Sequence, residues 1–280
     1  MKKFTIYLQY ILPQHFITWV MGALADCPWT WWKNYAIRRF IRKYHVDLSR
    51  AEFTNLDYYP SFNSFFTRAL KPELQPRAAS ASEILSPAEG CVAQIGIVKK
   101  NQLLQAKNMF FNLDTLLGDL ALAKDFYDGN YATFYLAPHN YHRVHMPYAG
   151  RLRQTIYIPG KLFSVNQMAA DIIPNLYARN ERLVLLFDTA IGPMAVVLVG
   201  AMIVGSIQTP WKKYSHSKII LSETFAEKTI ELPQGAECGH FQLGSTVVVL
   251  FPRNRVTWLA DLQMGTPVVA GEVVGKVHCY

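Results

Sequence analysis

The stretch Leu243-Gly244-Ser245-Thr246 stands directly before an apolar run, Val247-Val248-Val249-Leu250-Phe251. A Gly-Ser pair that feeds a buried strand, with a histidine-rich segment upstream, suggests a peptide bond that the chain cuts itself. Glycine on the acyl side removes a side chain that would hinder attack, and it tolerates unusual dihedral angles. Upstream, Pro138-His139-Asn140-Tyr141-His142-Arg143-Val144-His145-Met146-Pro147 holds three of the eight histidines. Zinc is one candidate for such a cluster, but the spacing of three and three argues against it. The flanking prolines disfavour a helix, and on a strand His142 and His145 point to opposite faces. A general base needs only one imidazole titrating near neutrality. Histidines that are merely surface or hydrogen-bonded groups are the plainer alternative. Glu89, in Ser86-Pro87-Ala88-Glu89-Gly90, sits at a turn opening a strand, where an acid either orients such a base or is simply solvated. No G-x-S-x-G elbow, P-loop or dinucleotide fingerprint is present.

The elements that must position these groups are β-rich. Cys91–Val98, Tyr131–Leu136, Arg151–Ile158, Leu183–Asp188, Met194–Val199 and Thr246–Phe251 are short apolar runs bounded by turn formers and predict strands. Leu116–Ala123 predicts a helix, and a further short helix is expected within Ser164–Ala178, with Ser164 or Asn166 near its start. The Gly-punctuated tail, Met264–Val277, predicts a carrier-like β hairpin closing the sheet, but it holds no carrier Met-Lys-Met. The fold class expected is α+β: a β-rich core over residues 49–280, preceded by amphipathic helices over 1–48. Hydrophobic residues make up 51% of the 280 and charged residues 17%, which is ample for a core and excludes bulk disorder. Cys27, Cys91, Cys238 and Cys279 are scattered, which argues against a disulfide framework and fits a reducing compartment.

Residues 1–50 carry a net +6 of the chain's +8. Nucleic acid or an anionic membrane would attract such a patch, and its aromatic company favours the membrane. Phe4–Ala25 is apolar but broken by Gln9, Pro13, Gln14 and His15, so it lacks the ~20 clean apolar residues of a spanning helix. Its ending, Ala23-Leu24-Ala25, leaves a signal-peptide reading open. Beyond it, Ile37, Phe40, Ile41 and Tyr44 share one helix face beside Arg38, Arg39, Arg42 and Lys43. That face either lies on a bilayer or packs into the core. With the preceding segment, a monotopic membrane contact is expected.

Five segments in order resemble the bacterial, membrane-associated phosphatidylserine decarboxylase proenzyme family. They are Ser86–Gly90, Tyr141–Pro147, Leu162-Phe163-Ser164-Val165-Asn166, Asn175–Arg182 and Leu243–Thr246. The resemblance implies self-cleavage between Gly244 and Ser245 by a Ser-His-acid relay, giving a β chain 1–244 and an α chain 245–280. Ser245 would be the nucleophile and then the pyruvoyl group, which forms a Schiff base with phosphatidylserine and releases CO₂ and phosphatidylethanolamine. His145 would be the general base and Glu89 the acid that orients it; the family pattern has Asp at that position. His142 would be a second proton donor. Ser164 and Asn166 are candidate partners of the substrate's carboxylate or phosphate, or else helix caps. No metal and no nucleic acid are expected. A peripheral position on the cytoplasmic face of the cell membrane and a homodimer of cleaved heterodimers are implied. The rivals are a soluble pyruvoyl-dependent amino-acid decarboxylase, a zinc hydrolase and a non-catalytic membrane module.

Overall fold

The computed structural model describes residues 2–106, 109–202, 206–214, 217–225, 230–242 and 245–278. Leu243, Gly244 and Cys279 lie outside the described residues.

Pro13 separates two N-terminal helices, α1 (Lys2–Leu8) and α2 (Gln14–Asp26). They are followed by α3 (Thr30–Tyr44) and the short α4 (Phe62–Phe66), whose first turn is capped by Ser61 Oγ accepting from Ser64 N at 3.2 Å. Strands then dominate: β1 (Glu83–Leu85), β2 (Gly90–Ile97), β3 (Gln102–Ala106) and β4 (Met109–Asn112). After them come α5 (Leu113–Leu117) and α6 (Leu120–Lys124), then β5 (Asn130–Leu136), β6 (Arg143–His145) and β7 (Gly150–Ile158). Two one-turn helices, α7 (Gln167–Ala170) and α8 (Leu176–Arg179), lead into β8 (Arg182–Thr189) and β9 (Gly192–Val199). The remaining strands are β10 (Ile207–Thr209), β11 (Lys212–Tyr214), β12 (Leu221–Thr224), β13 (Glu231–Leu232), β14 (Glu237–Phe241), β15 (Ser245–Phe251), β16 (Val256–Trp258), β17 (Pro267–Val268) and β18 (Val273–Val277).

Among the described residues the largest sheet has nine strands, in the order β12-β7-β8-β9-β15-β5-β2-β17, with β13 also on β7. All its pairings are antiparallel. In the centre, β15 is buried along its whole length, and β8 and β9 nearly so. This is why they read as continuous apolar runs rather than alternating ones: both faces are covered. A second sheet, β11-β10-β14-β6, carries His145. All six predicted strands form, within one or two residues.

Three expectations change. The predicted helix over 116–123 is two helices, because Gly118 adopts φ +74° and ends the first. The tail is not a hairpin: β17 pairs with β2 in the large sheet, whereas β18 pairs with β1 and β16 in another. The stripe Ile37-Phe40-Ile41-Tyr44 faces protein, not a bilayer. Ile37 is fully buried, and the Phe40 ring meets Phe62, Phe65 and Phe66 at centroid distances of 5.2, 6.3 and 5.8 Å. The exposed aromatics are others: Phe4, Phe16, Trp19, Trp29, Trp31 and Tyr35 are each more than half exposed.

Candidate active site

Ser245 opens β15 directly opposite Leu136, the last residue of β5, and is fully buried. Among the described residues its Oγ has no hydrogen-bond partner, nor does the Thr246 hydroxyl beside it. Leaving a buried hydroxyl unmade costs about 1–3 kcal/mol, so two in succession at a strand mouth mark a place where packing does not set the residue type. On its other side Thr246 pairs with Val199, the end of β9. The site therefore lies at one end of the large sheet, where β5 and β9 finish and β15 begins.

Beyond Leu136 the chain turns through Ala137–Asn140, where Asn140 Oδ1 accepts from Ala137 N at 2.8 Å, and then runs into β6. His142 stands just before β6 and His145 at its end, and their rings have different neighbours. The His142 ring is completely buried and stacks on Phe66, with centroids 4.0 Å apart. Its Nε2 faces the Pro138 carbonyl at 3.4 Å, and a carbonyl only accepts, so the proton is on Nε2 and the unpartnered Nδ1 is bare. Burial, reinforced by the Arg68 charge, pushes His142 down to about 3. Burial thus favours an uncharged imidazole at neutral pH, with Nδ1 as its bare acceptor nitrogen.

His145 is also buried, which holds its pKa below the ordinary histidine range against the opposing pull of the Gly235 carbonyl. Nδ1 contacts that carbonyl at 2.8 Å, so Nδ1 carries the proton. The basic Nε2 faces the Tyr141 hydroxyl at 3.0 Å. This tautomer suits a general base acting through Nε2. The expected bond from Ser245 to His145 is not made, since Nε2 is taken by Tyr141 and Ser245 Oγ has no partner.

Glu89 does not touch His145. Its Oε2 accepts from Arg50 Nη1 at 2.7 Å, and its Oε1 accepts from Tyr141 N at 3.3 Å and Asn140 Nδ2 at 3.4 Å. The acid thus meets the backbone of the tyrosine whose hydroxyl faces the histidine, and not the histidine itself. A second tie runs from His145 N to the Pro87 carbonyl at 2.8 Å. Close approach makes this possible: a Cβ on Gly90 would lie 2.1 Å from the Tyr135 carbonyl oxygen, so only glycine lets the Glu89 turn meet β5. From the other side, buried Arg68 donates to the His139 carbonyl at 3.0 Å, with its guanidinium over the Phe65 ring.

The loop with Ser164 and Asn166 borders the same end of the sheet. Asn166 Oδ1 accepts from Ala169 N at 2.9 Å, so it caps α7. Ser164 is half-buried and makes no such cap. Asn180 joins this loop to the strand ends: its Oδ1 accepts from Phe163 N, and its Nδ2 donates to the carbonyls of Phe163 and Gly200 at 2.8 and 2.9 Å.

Sequence reasoning passed over Arg50, Arg68, Tyr141 and Asn180 as functional groups. Tyr141 and Asn180 stood inside quoted motifs, but the partners of Arg50 and Arg68 lie 39 and 71 residues away, beyond any local pattern. No group of three or more His, Cys, Asp or Glu residues suited to a metal occurs among the described residues.

A family model described as "Phosphatidylserine decarboxylase" matches residues 62–276, and one described as "PSD" matches residues 4–45. The chain belongs to the phosphatidylserine decarboxylase family. A "Phosphatidylserine decarboxylase proenzyme" of Pseudomonas fluorescens is 45% identical over 280 residues, which is 98% of this chain and 97% of that one. Its counterpart in Alcanivorax borkumensis is 46% identical over 283 residues, or 99% and 96% of the two chains. One from Pseudomonas aeruginosa is 47% identical over 270 residues, or 94% and 93%. The two matches cover the N-terminal helices and the β-rich core.

Proposed function

We propose that the chain decarboxylates phosphatidylserine to phosphatidylethanolamine on a pyruvoyl group made from its own Ser245. Within the family, the observation that carries this is the completely buried Ser245 at the head of β15, with an Oγ that nothing in the fold employs. A serine that packing does not need, where β15 begins beside the end of β5, fits a residue kept for conversion. When formed, the pyruvoyl carbonyl supplies an electron sink for the pair left as CO₂ departs.

The chain's own groups make the cut. Nε2 of His145 leaves the Tyr141 hydroxyl and takes the Ser245 proton. Oγ attacks the Gly244 carbonyl carbon, the acyl group passes from nitrogen to oxygen, and the freed amine keeps the proton returned by the imidazole. Elimination, with loss of the Ser245 α proton, then parts β chain 1–244, ending in the Gly244 carboxylate, from α chain 245–280, whose dehydroalanine end tautomerises and is hydrolysed by water, losing its nitrogen as ammonia and leaving the ketone. Glu89 works through Tyr141, and its extra methylene relative to the family Asp is used to reach Arg50. In decarboxylation, Ser164 holds the substrate's carboxylate or phosphate. Because burial keeps His142 and His145 neutral, either must take up a proton before delivering it to the substrate carbon.

The substrate's chemistry agrees with the N-terminal region. A cavity of about 460 Å³ between α2, α3 and α4 is lined by Met21, Leu24, Phe62 and Phe66, with Arg39 and Lys43 also on its wall. It reaches Phe66 and Pro138, the two residues that hold His142. An apolar cavity with cations suits an acyl chain and a phosphodiester. Among the described residues no helix is long and apolar enough to cross a membrane. Exposed Phe16, Trp19, Trp29 and Trp31, with Arg38 and Arg42 nearby in sequence, suit the headgroup layer of an anionic bilayer. We place the chain peripherally on the cytoplasmic face, as a dimer of cleaved heterodimers.

An intact mass spectrum and a CO₂-release assay test this. Two chains divided at Gly244–Ser245, the smaller with a blocked N-terminus, and activity on phosphatidylserine in micelles but not on free serine are expected. A single uncut chain with full activity overturns the scheme.

A further inference from the structure

The break in the N-terminal apolar segment at Gln9 and Gln14 has a structural use. Both side chains are buried although they flank a surface helix pair, with 9% and 5% exposure. Gln14 Oε1 accepts from Leu162 N at 2.8 Å, and Gln9 Oε1 accepts from Ser164 N at 2.8 Å. Gln14 Nε2 donates to the Gln9 carbonyl at 2.7 Å, which locks the two residues together across the α1–α2 corner. Between them, Phe163 N goes to Asn180 Oδ1 at 3.1 Å. Three successive loop amides are thus each taken by a side-chain carboxamide, two from the N-terminal helices and one from the core.

The same contact is reinforced around its edge. His15 Nε2 meets the Gly160 carbonyl at 3.1 Å, and the Tyr10 ring lies 4.8 Å from that of Phe163, with the Arg179 guanidinium over both. Gly160 is required here, because a Cβ would lie 2.5 Å from the Arg179 carbonyl. The loop has no ladder partner of its own beyond one bridge from Lys161 to Asn180. The Leu162 and Ser164 amides would be unmade without Gln14 and Gln9.

We propose that Gln9 and Gln14 are positioning residues for decarboxylation: they set Ser164 in place according to how α1 and α2 are seated. The path is continuous, running from the helix corner through the Leu162 and Ser164 amides to Asn180, then to Gly200 and the β9 end beside Thr246. None of the side-chain bonds of Gln9 and Gln14 goes to Glu89, His145 or Ser245, so the proposal expects self-cleavage to proceed without them. The role of Ser164 rests on the function proposed above.

The test compares full-length wild-type chain with Gln9→Leu, Gln14→Leu, Gln9→Glu and Ser164→Ala. Four readouts are taken: the mass spectrum, sedimentation with anionic vesicles, kcat and KM on phosphatidylserine micelles, and hydrogen exchange of the loop amides. Expected for Gln9→Leu are complete cleavage, unchanged vesicle binding, faster exchange at Ser164 but not at Phe163, and kcat lowered tenfold or more. Gln9→Glu, which restores an acceptor for Ser164 N, recovers most of kcat. Adding Gln9→Leu to Ser164→Ala lowers kcat no further. Unchanged kcat in both Leu variants overturns the proposal, as does loss of cleavage in step with loss of activity, which would mark a general structural defect. If Ser164→Ala alone is fully active while the Leu variants are not, the proposal is overturned, because the glutamines then act on something other than Ser164. If the wild-type chain neither cleaves nor decarboxylates, the proposed function fails instead.

Discussion

Acid should destabilise this fold in part through His142. Its ring is buried between Phe66 and the Pro138 carbonyl, with the Arg68 charge nearby, and burial pushes its pKa to about 3 from an ordinary 6.5. The folded value is below the unfolded one, so the unfolded chain binds the extra proton. The stability that follows is complete above pH 6.5 and is lost progressively as pH falls towards 3. With about 1.36 kcal/mol per unit, the loss is about 2 kcal/mol at pH 5 and about 4 kcal/mol at pH 3. Against a typical total of about 5–15 kcal/mol, this is a large share. Urea unfolding of the uncut Ser245→Ala chain, with and without His142→Gln, measures it. Each chain is referred to its own midpoint at pH 7.5, and the contributions of the other seven histidines cancel in the difference. The His142→Gln chain should lose about 2 kcal/mol less between pH 7.5 and 5. Parallel pH dependences in the two chains would refute the reasoning, because a histidine that stays neutral when folded must produce this slope.

Ser245→Ala should remain one uncut chain by mass spectrometry and release no CO₂ from phosphatidylserine; splitting of this variant ends the self-cleavage scheme. Glu89→Asp withdraws the carboxylate by about 1.5 Å, the length of one C–C bond. The 2.7 Å contact with Arg50 is then lost, and restoring the family's acid should slow self-cleavage rather than speed it. A charge-assisted bond is worth about 1.5–3 kcal/mol, reduced towards 1 by partial exposure, so a slowing of about five- to tenfold in a gel time course is expected. Trp29→Ala with Trp31→Ala should weaken sedimentation with anionic vesicles by at least about tenfold, at roughly 1.5 kcal/mol for each indole removed from the interface. Equal binding by the double variant would move the membrane contact elsewhere.

The central strands were legible because a sheet covered on both faces demands unbroken apolar runs, and Leu183–Asp188, Met194–Val199 and Thr246–Phe251 supply them. The stripe from Ile37 to Tyr44 was legible as a helix face but not as a buried one. Periodicity shows that a face exists, whereas what covers it is set by Phe62–Phe66, some twenty residues on. The tail failed for a related reason. Glycine spacing marks turns, but whether the strands on either side pair with each other depends on partners such as β1 and β2, far away in the chain.

By itself the sequence determined which bond is the candidate for cutting, which residue types stand around it, and that the N-terminal segment is basic, aromatic and too interrupted to span a bilayer. Those properties are local, carried by short motifs and composition. Only the tertiary structure decided how the residues are connected. It put Glu89 on Arg50 and Tyr141 instead of His145, left Ser245 Oγ and His142 Nδ1 as buried atoms without partners, and turned the polar break at Gln9 and Gln14 into a hold on the Ser164 loop. Hydrogen bonds made across tens to more than a hundred residues depend on which strand ends meet. That is fixed by the packing of the whole sheet, not by any stretch of chain read alone.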